Sequence, residues 1–271
     1  MYASYQIIES NNLIFQNYLE IGKQLELQNN EKITPKLKTF LNPDGSIDAS
    51  NMMDDWFPHV EGNVFISHAR KDKDVALGLA GLLQKNGLKP FVDSCVWSHA
   101  NGLIKQLDNT YCKTGENLFS YEKSLVTASH VNMMLGAALT KMMDQCECIF
   151  FLNTSNSVSS RSLEELKNDY SHLTASPWLF HELSMIQLLR RRSIEEHRSV
   201  EVNFNKELHK EAHTSVPTFN YPAKLENMTK INANRLKNLV SPGRVSNYLD
   251  SLTNSGSSIL DSIYSAYPIK Q

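Results

Sequence analysis

Asn63-Val64-Phe65-Ile66-Ser67-His68-Ala69-Arg70-Lys71-Asp72 changes character halfway along, from apolar to polar. Its first half is a short run of β-branched and aromatic residues without alternation, the pattern of a strand buried on both faces. After the polar half, Val75, Leu79, Leu82 and Leu83 form one apolar helical stripe, and Asn86-Gly87 supplies its stop signal. Pro90-Phe91-Val92 is strand-like again and ends in Asp93. A helix over residues 129–144, with Val131, Met134, Leu135, Ala138, Leu139 and Met142 on its apolar face, leads into Cys148-Ile149-Phe150-Phe151-Leu152, the most apolar strand. Ser176-Pro177-Trp178 opens a further helix, serine placed as N-cap and proline at the first helical position, with the stripe Leu179, Leu183, Ile186 and Leu189. This alternation of strand and helix predicts an α/β fold, a central parallel sheet with helices on both faces.

Outward from that core the pattern weakens. In residues 7–25 the apolar positions Ile7, Ile8, Ile14, Phe15, Tyr18, Leu19 and Leu25 recur at loosely helical spacing, and Asn42-Pro43-Asp44-Gly45-Ser46 collects turn formers. Residues 1–58 therefore read as a helical N-terminal extension and tether, and residues 59–271 as the domain itself. Residues 200–204 and 218–221 are short strand-like pieces before a C-terminal helix near residues 245–264. Two segments exceed a minimal βα connection: an insertion at about residues 94–128, and the polar residues 153–175. Both leave the carboxyl ends of parallel strands, where open α/β sheets bind ligands.

Composition narrows the field. The 271 residues suffice for one large or two small domains whose core needs no metal or disulfide. With 27 basic and 29 acidic side chains the chain as a whole has no pull toward nucleic acid or anionic lipid. No run approaches the roughly 20 apolar residues of a membrane helix, and the N-terminus lacks a signal-peptide pattern, so the chain reads as cytoplasmic. Cys95, Cys112, Cys146 and Cys148 form no C-x-x-C pair and read as reduced packing groups.

The eleven glycines form neither G-x-G-x-x-G nor G-x-x-x-x-G-K-[ST]. His181-Glu182 begins like H-E-x-x-H, but Met185 stands where the second histidine belongs, so no metal site is expected. Arg190-Arg191-Arg192 falls at a helix C-terminus, where cations complement the macrodipole. Three features remain: the polar end of the first strand, Asp93, and the helix on which Trp178 and Glu182 share a face. Each also has an ordinary structural use. Ser67 and Asp72 are typical helix caps, Trp178 a typical core group, and Glu182 borders the apolar stripe of Leu179, Leu183 and Ile186.

Val64-Phe65-Ile66-Ser67-His68-Ala69 with Asp72, the Phe91-Val92-Asp93 and Ile149-Phe150-Phe151-Leu152 strands, and Ser176-Pro177-Trp178 followed by Glu182-Leu183 stand in an order that resembles a bacterial TIR (Toll/interleukin-1 receptor) domain. The similarity covers about residues 60–190. It implies a flavodoxin-like fold and cleavage of NAD+ at the nicotinamide–ribose bond, giving nicotinamide and ADP-ribose or a cyclic isomer, with NAD+ as substrate and no cofactor. The family's essential carboxylate, in a W-x-x-x-E pattern, maps onto Glu182, and its substrate pocket onto Phe65, Ser67, His68 and Asp93. One carboxylate meets the chemical demand, because nicotinamide leaves as a neutral molecule and needs no general acid, unlike ordinary glycoside hydrolysis. The remaining demand is to stabilise an oxocarbenium-like ribose; Trp178 is a candidate ring platform and Ser67 a candidate hydrogen-bond partner. The chain departs from the family after the second strand, where Asp93-Ser94-Cys95-Val96-Trp97-Ser98 replaces the usual proline-glycine turn. The resemblance further implies anti-phage defence signalling of the Thoeris kind, self-association through the domain, and a downstream effector sensing the nucleotide product. The alternative is a non-catalytic adaptor or scaffold working by TIR–TIR contact.

Overall fold

The computed structural model describes residues 1–11, 13–31, 47–57, 60–92, 94–160, 172–199, 221–223, 225–241 and 256–269. The chain runs through β1 (Ala3–Ile8), α1 (Leu19–Glu31), α2 (Ala49–Trp56), β2 (Val64–Ser67), α3 (Lys73–Lys85), β3 (Pro90–Val92) and α4 (Ser94–Leu107). A hairpin of β4 (Lys113–Gly115) and β5 (Leu118–Phe119) precedes α5 (Tyr121–Gln145) and β6 (Cys148–Leu152). Then come β7 (Ser159–Ser160), β8 (His172–Thr174), α6 (Pro177–Leu188), α7 (Ile194–Ser199), β9 (Tyr221–Pro222), β10 (Thr229–Asn232), α8 (Ala233–Val240) and α9 (Gly256–Ala266).

Five strands form one parallel sheet in the order β10-β1-β6-β2-β3, while β7, β8 and β9 make a small antiparallel ribbon. Helices cover both faces. Ala3, Tyr5, Ile7, Val64, Ile66, Phe150 and Leu152 meet α1, α3, α8 and α9 on one face. Phe65, Phe91, Ile149 and Phe151 meet α2, α4, α5 and α6 on the other. The segment β3-β2-β6 keeps the 2-1-3 order of flavodoxin-like sheets. The next position is taken by β1, from the other end of the chain.

That placement corrects the reading of residues 1–58 as a helical extension outside the sheet. Residues 3–8 are a strand hydrogen-bonded on both sides, with Tyr5 paired to Phe150 and to Thr229. Ile7 and Ile8 belong to that strand rather than to a helix, and α1 begins only at Leu19. Gln6, buried on the opposite face from Tyr5, spends its amide on Leu225 O (3.2 Å), Met228 O (3.4 Å) and the amide of Asn153 (2.8 Å), so the polar group is satisfied in the core.

The segment 94–128 is likewise no loop: it is α4, one π-helical turn at Asp108–Cys112, the β4–β5 hairpin and the first turns of α5, which starts eight residues earlier than its apolar stripe indicated. Residues 200–204, 218–220 and 242–255 lie outside the described residues, and α9 covers the end of the expected C-terminal helix. Expected features also appear. Asn86-Gly87 ends α3 in a Schellman motif, with Gly87 at φ 80° and Leu88 N donating to Leu83 O at 3.1 Å. Cys112, Cys146 and Cys148 are buried free thiols, and burial pushes Cys146 up to about 12. Arg190 pairs with Glu196 at 2.9 Å and Arg192 with Asp144, so these two arginines bind the chain's own carboxylates. Among the described residues no helix is long and apolar enough to cross a membrane.

Helices α1 and α3 cross at a contact that tolerates no side chain. A Cβ on Gly22 would lie 1.9 Å from Leu77 O, and one on Gly81 would lie 2.0 Å from Tyr18 O. These neighbours are backbone atoms, Leu77 in α3 and Tyr18 in the 3-10 turn that leads into α1, so relief requires moving a helix. Gly81→Ala is expected to cost about 3 kcal/mol or more, a fall in Tm of about 5–10 °C by thermal unfolding. Gly102→Ala, where the nearest atom is 3.8 Å away, is expected to leave Tm unchanged or slightly raised.

Candidate active site

The carboxyl end of β2 and helix α6 meet under the sheet's upper edge. Ser67 is the last residue of β2, paired in register with Phe151 of β6. Strand β2 leads to α3 on one face and β6 leads to α6 on the other, so their carboxyl ends form a switch point of the kind at which open parallel sheets bind ligands. Helix α6 is started as the sequence indicates: Ser176 Oγ accepts from Leu179 N at 3.3 Å and Pro177 occupies the first turn. With its start so fixed, Leu179, Leu183 and Ile186 face the core and carry Glu182 inward beside them.

Glu182 and Ser67 are both 0% exposed, and Ser67 Oγ donates to Glu182 Oε2 at 2.5 Å. This bond fixes the carboxyl group against the end of β2. His68 beside it is also fully buried. His181, one residue earlier on α6, turns to α5 instead. Its Nε2 lies 3.0 Å from Thr140 Oγ1, whose own hydroxyl donates to Gly136 O at 2.8 Å, so the imidazole N–H donates to the threonine oxygen.

The other expected residues are placed as follows. Phe65 is in the core with its ring 5.5 Å from Phe91, and its side chain has no exposed surface. Trp178 is half-buried against the core of the α6 face. Asp93 lies outside the described residues. Neither Ser67 nor Asp72 caps a helix with its side chain. Asp72 occupies the N-cap position of α3, yet its carboxylate accepts from Thr154 Oγ1 (2.5 Å) and Asn156 Nδ2 (2.7 Å), tying the start of α3 to the loop after β6. Sequence reasoning missed Thr154 and Asn156 as partners of Asp72, and no local signal links positions 82 and 84 residues apart. Searches against protein-family models, curated proteins and solved structures find no match. What the site can do therefore follows from its own chemistry.

A buried, hydroxyl-anchored carboxyl group at the carboxyl end of a parallel strand is held in one orientation with little water around it. Such a group, when ionised, accepts hydrogen bonds from a diol and stabilises positive charge developing nearby.

Burial also sets the local acid response. His181 and His197, both half-buried, are held below the ordinary histidine value of 6.5 chiefly because burial penalises the imidazolium. The folded state keeps them neutral, whereas the unfolded chain takes up protons near that value. Their contribution is full above about pH 6.5 and declines as pH falls through it toward the lower folded values. Tm is expected to drop as the pH is lowered from about 7.5 to about 5.5, and the drop is expected to be smaller in His181→Gln.

Proposed function

We propose that the protein is a TIR-like enzyme that cleaves NAD+ at the nicotinamide–ribose bond, with Glu182 as the catalytic carboxylate. The observation that carries this reading is the Ser67–Glu182 pair, which sets one buried carboxyl group at the carboxyl end of β2, beside the switch point between strands whose helices leave to opposite faces. In this reading Glu182 holds the ribose hydroxyls and stabilises the oxocarbenium-like ribose, Ser67 orients the carboxylate, and Trp178 borders the ring pocket. Nicotinamide departs with the bonding electron pair and becomes neutral; water, or a nucleophilic atom of the same nucleotide, then takes its place. NAD+ is the substrate and no cofactor takes part. The protein would act in the cytoplasm in anti-phage signalling, assembling through its own domain and passing ADP-ribose or a cyclic isomer to an effector. The test is to incubate the full chain with NAD+ and identify products by chromatography and mass: nicotinamide with ADP-ribose or its cyclised isomer supports the proposal, and unchanged NAD+ under every trigger tried counts against it.

The complete burial of both partners favours a second reading, a structural clamp holding α6 to the sheet in a non-catalytic adaptor. In that case Glu182→Gln changes Tm and self-association, and no nicotinamide appears with either form.

A further inference from the structure

We propose a second ligand site, independent of the Ser67–Glu182 pair, in the cleft between the carboxyl ends of β1 and β6, and we assign it to a small polyhydroxylated ligand of neutral or positive charge. Because β1 occupies the position next to β6, a second pair of neighbouring strands sends its helices to opposite faces: β1 leads to α1 on one, β6 to α6 on the other. Parallel sheets bind ligands at such points. Here the cleft is formed, with a volume of about 740 Å³, inside the range of about 300–1,000 Å³ typical of small-molecule sites.

The lining sets the ligand class. Glu9 and Ser10 follow β1, Asn153, Ser155 and Asn156 follow β6, and Asp72 closes the wall from the start of α3. Among the described residues the lining contributes two carboxylates, several amides and hydroxyls, the apolar side chains of Leu13 and Val75, which suit the C–H face of a sugar ring, and no lysine or arginine. Acceptors and donors in this mixture match ligand hydroxyl groups, two negative charges favour a cation, and both disfavour a phosphate. The walls are held in place before any ligand arrives. Asp72 is fixed by Thr154 and Asn156, Asn153 by Gln6, and Glu9 by Asn232. Glu9 keeps a left-handed backbone at φ 56°, a conformation that costs free energy in a residue with a side chain and that concentrates at ligand sites. The adjacent Ser10 hydroxyl is shielded from water with no hydrogen-bond partner among the described residues.

Three related probes that differ in charge test this: glucose, glucosamine and glucose 6-phosphate, each titrated to millimolar concentration into the full 15N-labelled chain while amide shifts are followed. Saturable shifts at Ser10, Asn11 and residues 153–156 are expected with glucose and glucosamine, and about tenfold weaker binding of the 6-phosphate. Ser155 lines the cleft and is exposed, so Ser155→Trp is expected to obstruct the cleft and weaken binding by about tenfold or more without lowering Tm. The proposal is overturned if no probe shifts these amides, if the shifts centre on Ser67 and Glu182, if the 6-phosphate binds as well as glucose, or if Ser155→Trp leaves binding intact. None of these outcomes depends on NAD+ cleavage, which is scored separately.

Discussion

Deleting residues 1–8 is expected to leave a chain that does not fold. The strand they form pairs with β6 on one side and β10 on the other, so its removal splits the sheet and exposes two unpaired edges. Tyr5 and Ile7 are fully buried, and burial of such side chains contributes about 1.5–3 kcal/mol each. The ladder bonds on both sides add about 1 kcal/mol apiece. Together these approach the whole stability of a typical domain, about 5–15 kcal/mol. A single substitution makes the same point within a folded protein. The Tyr5 ring lies stacked 6.3 Å from Tyr264 and 6.0 Å from Phe150, and its hydroxyl donates to Tyr267 O at 3.1 Å. Tyr5→Ala is expected to cost about 3–5 kcal/mol by denaturant unfolding. A dispensable extension would instead give a deletion with native circular dichroism and unchanged Tm.

Glu182→Gln is expected to lower nicotinamide release by about 10³-fold or more, with little change in fold. Glutamine keeps the shape, and its carbonyl still accepts the Ser67 hydroxyl, so the bond at 2.5 Å has a neutral successor. On the proposed NAD+-cleaving reading, what disappears is the carboxylate opposite the developing cation. Ser67→Ala separates orientation from charge: the carboxylate remains but loses the hydroxyl that holds it, for an expected loss of about 10–100-fold. It also strips a hydrogen bond from a buried carboxylate, a destabilisation of about 1–3 kcal/mol. Glu182→Gln acting chiefly on rate and Ser67→Ala on both rate and Tm would be the pattern of a catalytic charge with a positioning partner.

Residues 63–92 and 148–188 carried most of the legible fold, because each element there writes its own period. The unbroken apolar runs of β2 and β6, the stripe of α3 and the Ser176-Pro177 cap are local signals, and local physics suffices to interpret them. Strand β1 was harder. Its alternation of Ala3, Tyr5 and Ile7 against Ser4 and Gln6 is a strand signature, yet Ile7 and Ile8 also continue into the helical spacing of Ile14, Phe15 and Leu19. Choosing between the two depended on partners 145 and 224 residues away, such as Phe150 and Thr229, to which periodicity is blind. Strand β10 escaped notice for a plainer reason: it has four residues and only Ile231 is buried. At the site, Ser67 and Glu182 were each visible as candidates, but their contact spans 115 residues and follows only from the strand order. The crevice between β1 and β6 was invisible for as long as β1 was, since it exists only through that placement.

The most direct measurement is the initial rate of nicotinamide release from NAD+ by the purified full chain and by Glu182→Gln, under identical triggers and after both are shown to share the same Tm. Multiple turnovers are expected for the native chain and a rate lower by about 10³-fold for the variant if Glu182 is the catalytic carboxylate. Equal rates, or no release from either under any trigger, would contradict that role.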